Sequence, residues 1–206
     1  MKRGPETGRQ DFHGVGYWPG LLDAPAQTAL LEDVLGVMRT APPLRMITPG
    51  GRRMSVSMTA AGSFGWVSDL AGYRYAARHP QGMAWPEIPG RVLDIWHAVA
   101  PQARAPECCL VNLYDVAARM GLHQDRDEAD FTQPVVSVSL GDDALFRLGV
   151  GAGRAPSRSL WLRSGDVLVL EGPSRLAFHG IDRLRPGSSL LVPGGGRINL
   201  TLRVVT

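Results

Sequence analysis

Two stretches carry apolar residues at helical spacing. From Asp23 to Met38, Leu30, Leu31, Val34, Leu35 and Met38 recur along one side, and Asp23 with the following Ala-Pro marks a start. From Pro89 to Ala100 the stripe is Val92, Leu93, Ile95, Trp96 and Val99, with Pro101 as the stop. Between them, residues 41–88 lose this period and become rich in Gly, Pro, Met and aromatics, a composition suited to turns, short strands and a binding surface. After Cys108 the period changes again. Short runs at 108–114, 134–140, 144–148, 159–162, 167–171 and 197–205 read as strands, divided by turn signals at Gly141-Asp142-Asp143, 149–156, Ser164-Gly165-Asp166 and 193–196. The predicted fold class is α+β, mainly β. It is a sandwich or jelly-roll barrel with N-terminal helices buttressing one sheet.

A length of 206 residues allows a single domain spanning the chain, with residues 1–11 as a flexible N-terminus. Residues are 44% hydrophobic and 20% charged, and no apolar run approaches the roughly 18 positions of a membrane span. No signal-like segment begins the chain, so a soluble, cytoplasmic protein with no membrane partner is expected, acting as a monomer. The two cysteines, Cys108 and Cys109, are adjacent on a predicted strand and point to opposite faces, which disfavours a bond between them. They fit core filler, and no zinc spacing is present. A net charge of +3 and a pI near 9.2 are compatible with a polyanionic partner without requiring one. Glycines at 149, 151 and 153 make a GxGxG with no βαβ unit around it, which fits a mobile loop better than a dinucleotide site.

Alternation then locates the chemistry. In the last strand Arg197, Asn199, Thr201 and Arg203 share one face, and Ile198, Leu200, Leu202 and Val204 the other. The polar face either meets solvent or lines a lumen. In a lumen two arginines need anionic partners, which a dicarboxylate would supply. Leu110, Asn112 and Tyr114 likewise share a face, so Asn112 and Tyr114 can reach one carboxylate or keto oxygen. A turn-flanking Asn and a core Tyr are the plainer alternative. His123 and Asp125, if extended, project to one side and can chelate a metal. His179 is a better third ligand than His13, His79 or His97, and two histidines with one carboxylate suit ferrous iron with open positions.

Taken together, these motifs resemble the AlkB family of iron(II)- and 2-oxoglutarate-dependent nucleic-acid dealkylases, its bacterial members above all. The resemblance runs from about residue 12 to 206. It includes Thr48-Pro49-Gly50-Gly51, Met54-Ser55-Val56, Gly65-Trp66, Gly72-Tyr73, Tyr75, Asn112, Tyr114, the run His123 to Glu128, Gly165-Asp166-Val167, Ser174-Arg175-Leu176, His179-Gly180 and Arg197 to Arg203.

The resemblance implies a double-stranded β-helix, with residues 108–206 as the catalytic core and 41–88 as a nucleotide-recognition segment. It implies one Fe(II) per chain on His123, Asp125 and His179, with 2-oxoglutarate and O2 as cosubstrates. Arg197 and Tyr114 would take the far carboxylate of 2-oxoglutarate, and Asn112, Asn199 and Arg203 the end near the metal. The implied partner is alkylated single-stranded DNA, with RNA as a second candidate. N1-methyladenine and N3-methylcytosine would be demethylated, and succinate, CO2 and formaldehyde released. Trp66 would stack on the flipped base, Asp127 accept from its exocyclic amine, and Tyr73 and Tyr75 meet the sugar-phosphate backbone. The plainer alternatives are Trp66, Tyr73 and Tyr75 as packing and Asp127-Glu128 as a solvated acidic turn.

Departures from the family pattern fall at Arg52, at Arg126 and in the loop carrying Arg154. Arg52, Arg53 and Arg74 offer further phosphate contacts. A hydroxylase of a protein or small metabolite, or a non-catalytic damage-binding module, are the competing functions.

Overall fold

The structure is a computed structural model describing residues 8–149 and 157–206. The predicted loop at 149–156, with its glycines and Arg154, lies outside the described residues beyond Gly149, as does the start of the N-terminus.

In chain order the elements are β1 (Gln10–Phe12), β2 (Val15–Trp18), α1 (Ala24–Thr40), β3 (Ser57–Gly62), β4 (Gly65–Asp69), β5 (Gly72–Ala76), α2 (Gly90–Val99), β6 (Cys108–Tyr114), β7 (Met120–His123), β8 (Val135–Gly141), β9 (Asp143–Gly149), β10 (Ser157–Leu162), β11 (Val167–Leu170), β12 (His179–Arg185) and β13 (Arg197–Arg203). Among the described residues the strands form a seven-stranded sheet in the order β1-β2-β11-β8-β13-β6-β3, a four-stranded sheet in the order β10-β9-β12-β7, and the hairpin β4-β5. The paired strands run antiparallel, as a jelly roll requires.

Both helices form where the apolar period placed them. The Asp23 carboxylate accepts from the Ala26 amide and caps α1, and a proline occupies the first turn, where its missing N–H costs nothing. Leu30, Leu31, Val34 and Val37 of α1 are buried, as are Val92, Ile95, Trp96 and Val99 of α2. They pack in one cluster with the outward face of the large sheet: Cys109, Val111, Val136, Val138, Leu140, Ile198, Leu200 and Leu202. Each such side chain contributes about 1.5–3 kcal/mol on burial. The helices therefore brace the sheet that carries the polar rows. Cys108 lies in the opposite cluster between the sheets, and both cysteines are free and buried.

The N-terminal expectation needs correcting. Gln10 and Asp11 belong to a strand, and the β1-β2 hairpin extends the large sheet by pairing β2 with β11. Its turn is His13-Gly14, both at positive φ. Strands of three and four residues are too short to show a period of two. Two more strands escaped the pattern. β7 is four residues long, and β12 carries a register irregularity after His179 that breaks its alternation. Part of the 41–88 segment is sheet as well, since β3 pairs with β6 along six residues and only β4-β5 stands apart as a hairpin.

Candidate active site

The lumen between the two sheets is a cavity of about 640 Å³, and the residues singled out by alternation line it together. Strand register explains their arrangement. On the large sheet Asn112 lies opposite Asn199, which lies opposite Ser139; one step along, Tyr114 lies opposite Arg197. Arg197, Asn199, Thr201 and Arg203 are all buried, so the solvent-face alternative for β13 is excluded. Across the lumen, on the four-stranded sheet, His179 lies opposite His123, with ring centroids 4.5 Å apart. Gly180 permits this approach, because a Cβ there would stand 2.5 Å from the Met120 carbonyl oxygen.

His123, Asp125 and His179 bring three ligand atoms within 4.8 Å of one another. The His123 Nε2 lies 3.6 Å from Asp125 Oδ1 and the His179 Nε2 lies 3.7 Å from Asp125 Oδ2. Each Nδ1 sits against a backbone carbonyl two residues upstream, His123 on Gly121 at 3.0 Å and His179 on Ala177 at 2.9 Å. With Nδ1 donating, both Nε2 lone pairs are left for a metal, the arrangement that orients ligating imidazoles. Burial pushes the His179 pKa down to about 4, partly offset by Asp125. The Asp125 carboxyl is buried too, yet Arg203 and the two histidines hold it well below the usual range. His179 and Asp125 are thus deprotonated at neutral pH, and Asp125 Oδ2 accepts no aligned hydrogen bond. These donors fit a divalent cation.

The opposite wall fits an anion. Arg197 is 2% exposed, stands 5.3 Å over the Tyr114 ring and donates one bond, from Nη2 to Ser139 Oγ at 2.9 Å. Its Nε and Nη1 have no partner. Burying a guanidinium half-satisfied is costly, and burial lowers its pKa, so this group calls for a carboxylate. Asn199 is fixed by donating to Ser137 Oγ and the Val138 carbonyl at 2.8 and 3.0 Å, while the buried Asn112 Oδ1 is unpaired.

The geometry agrees with three comparisons. Residues 14–203 match the 2OG-Fe(II) oxygenase superfamily model. An "Alpha-ketoglutarate-dependent dioxygenase AlkB homolog" of Caulobacter vibrioides is 59% identical over 191 residues, 92% of this chain and 87% of that protein. The chain belongs to the AlkB dioxygenases. The "Alpha-ketoglutarate-dependent dioxygenase AlkB" of Escherichia coli is 40% identical over 183 residues, 86% of this chain and 84% of that one. A solved structure, "The structure of OsALKBH1", superposes with a TM-score of 0.79 at 29% identity, covering 95% of this chain and 99% of that one. As an AlkB dioxygenase the protein uses Fe(II), 2-oxoglutarate and O2. His123, Asp125 and His179 would hold the iron.

Other expected contacts are arranged differently. Trp66 lines the mouth, stacked on Tyr73 with centroids 5.3 Å apart and planes 18° from parallel. Its Nε1 donates to Asp127 Oδ2 at 2.8 Å, so one oxygen of Asp127 is already engaged. Arg74 is committed to Asp69 by two bonds within the β4-β5 hairpin, whereas Arg52 and Arg53 are exposed. Tyr75 turns inward, its hydroxyl donating to Glu128 Oε1 at 2.5 Å.

Arg203 is also occupied. Its Nη2 lies 2.9 Å from Asp125 Oδ2 and its Nε 3.2 Å from Glu128 Oε1, both at ion-pair distance though not aligned as hydrogen bonds. Glu128 and Arg175 are the residues whose role sequence reasoning missed. Both are buried and joined at 3.0 Å, and Arg175 Nη1 donates to the Asp125 carbonyl at 2.7 Å. An acidic residue directly after another, as in Asp127-Glu128, reads as a solvated turn, and only the fold shows that Glu128 is enclosed.

Proposed function

We propose that the protein oxidatively demethylates N1-methyladenine and N3-methylcytosine in single-stranded DNA, and in RNA as a second substrate, as a monomer in the cytoplasm. The observation that carries this reading is one cavity with the three-ligand site and the carboxylate-seeking Arg197 on its walls and an indole at its mouth. Iron with O2 and 2-oxoglutarate supplies the power to oxidise a C–H bond. Hydroxylation of the N-methyl group would consume O2 and 2-oxoglutarate and give succinate and CO2. The hydroxymethyl adduct then loses formaldehyde and restores the base.

The chain's own residues bind, orient and exclude water. Arg197 and Tyr114 would anchor 2-oxoglutarate on the wall opposite the histidines. Trp66, pinned by Asp127, supplies a flat face for a base taken out of its stack, a step that costs least where methylation has already blocked pairing. Asp127 has capacity for an exocyclic amine on its second oxygen. Tyr73 is 49% exposed beside Trp66 and would meet the sugar-phosphate backbone, and Arg52 and Arg53 adjoining phosphates.

The test is a panel of oligonucleotides carrying each adduct, with formaldehyde, succinate and base identity measured together. Matched formaldehyde and restored base, absent in His123→Ala, is the expected result. Cosubstrate consumption that no methylated oligonucleotide stimulates would instead indicate a protein or small-molecule substrate.

A further inference from the structure

Beneath the mouth of the cavity, side chains from four separate parts of the chain meet in one buried cluster. Tyr75 comes from the β4-β5 hairpin, Glu128 from the segment after β7, Arg175 from the loop before β12, and Arg203 from the end of β13. Glu128, Arg175 and Arg203 are each 6% exposed or less. The Glu128 carboxylate accepts the Tyr75 hydroxyl on Oε1 and Arg175 Nη2 on Oε2, and its Oε1 stands at ion-pair distance from Arg203 Nε. Both arginines continue to Asp125: Arg203 to its carboxylate Oδ2, Arg175 to its backbone carbonyl. Arg175 Nε is held in turn by the Gln133 carbonyl at 2.8 Å. Asp125 is therefore gripped at both its side chain and its main chain by two cations, and Glu128 is the acid they share.

We infer that Glu128 is a positioning residue for the Asp125 carboxylate, acting through Arg203 and Arg175, and that Tyr75 links the β4-β5 hairpin to it. This rests on the metal and cosubstrate site proposed above but not on the nucleic-acid substrate. The physical case is one of balance. Two buried guanidiniums beside one carboxylate would leave an uncompensated positive charge, and Arg203 would be free to swing onto Asp125 with both nitrogens. Glu128 takes up the second charge and divides Arg203 between two acids, so one Asp125 oxygen, Oδ1, stays on the His123 side. Tyr75 fixes Glu128 from the third direction. Its register partner across the hairpin is Trp66, so one pair of strands carries both the cavity-lining indole and the anchor of Glu128.

The experiment needs no nucleic acid for its first part. Co(II) affinity of the apoprotein and 2-oxoglutarate binding to the Co(II) form are measured by titration of the Co(II) absorption bands, with the melting temperature of the apoprotein followed in parallel. Removing an interaction that orients a metal ligand weakens metal binding by about 10–100-fold, so Glu128→Gln is expected to raise the Co(II) dissociation constant by at least about tenfold and to alter the bands. Tyr75→Phe keeps every charge and removes one hydroxyl. It should weaken Co(II) by about threefold, a modest fraction of that range, and alter the bands in the same direction as Glu128→Gln.

A Co(II) affinity and spectrum unchanged in Tyr75→Phe, with only the oligonucleotide KM raised, would overturn the inference and return Tyr75 to a direct strand contact. A lowered melting temperature in Glu128→Gln with wild-type Co(II) affinity would overturn it too, leaving Glu128 a merely structural residue. Should Glu128→Gln not fold, Tyr75→Phe decides alone. Because Co(II) is read without substrate, failure of the demethylation reading leaves this outcome intact.

Discussion

Arg197 shows how one residue type commits a site. Its guanidinium is buried with two nitrogens unpaired and no ion pair among the described residues, so a bound carboxylate supplies what the protein withholds. Lysine keeps the charge but lacks the planar fork. Arg197→Lys should raise the 2-oxoglutarate KM by roughly 10–100-fold, the equivalent of about 1.5–3 kcal/mol for a hydrogen bond to a charged group. Steady-state kinetics at saturating oligonucleotide would show it, and a KM within twofold of wild type would reject the assignment. His179 makes a second prediction. Its pKa is pushed down to about 4 by burial, against 6.5 for an open chain, so the unfolded state takes up its proton first as pH falls. The metal-free protein should lose stability from about pH 6.5 toward pH 4. Urea midpoints across that range should fall more steeply than those of His179→Gln. These residues were visible in the sequence because their types are rare in a core, whereas Glu128 and Arg175 have no spacing that distinguishes an enclosed acid from a solvated one.

At the scale of elements, alternation made β6 and β13 legible because each is seven residues long, with one face against the helices and the other in the lumen. Polar side chains at every second position of a fully buried strand are hard to explain except by a lined cavity. β12 and β7 were hidden for the opposite reason: the irregularity between His179 and Ile181 breaks the period where the ligands sit. Gly180 should be intolerant of any side chain, since its added Cβ would meet the carbonyl oxygens of Met120 and Gly121 at 2.5 and 2.8 Å. Gly180→Val is expected to part β12 from β7 and abolish Co(II) binding, with a lowered melting temperature. Retention of wild-type affinity would mean the strands can shift without cost. By contrast Leu30→Ala, in α1 behind the large sheet, should cost about 2–5 kcal/mol of stability with the 2-oxoglutarate KM unchanged. Denaturant titration alongside kinetics separates the two classes.

For the molecule as a whole, binding free energy is shared between stability and recognition. Because the ligand atoms are brought together only by the fold, Co(II) with 2-oxoglutarate should raise the melting temperature in a concentration-dependent way, and chelation should reverse it. No shift at ligand concentrations far above the measured dissociation constants would count against the site. Recognition of a strand should depend on salt, with each phosphate contact contributing about 0.7 to the slope for a single strand. Arg52→Ala with Arg53→Ala should therefore flatten the slope by about 1.4 in a fluorescence-anisotropy titration, while Arg74→Ala, already paired with Asp69, should leave it unchanged. What the sequence by itself determined was local: helical stripes, strands with a polar face, a His-x-Asp pair, and a last strand with Arg197, Asn199, Thr201 and Arg203 on one face, which together resemble an iron- and 2-oxoglutarate-dependent site. What the tertiary structure decided was pairing across distance: which histidine lies opposite which, that Tyr75 turns inward to Glu128, and that Asp125 is held between two arginines. Side-chain period is a property of a single strand, but a buried charge is balanced by whichever strand the fold lays beside it, and no local pattern records that choice.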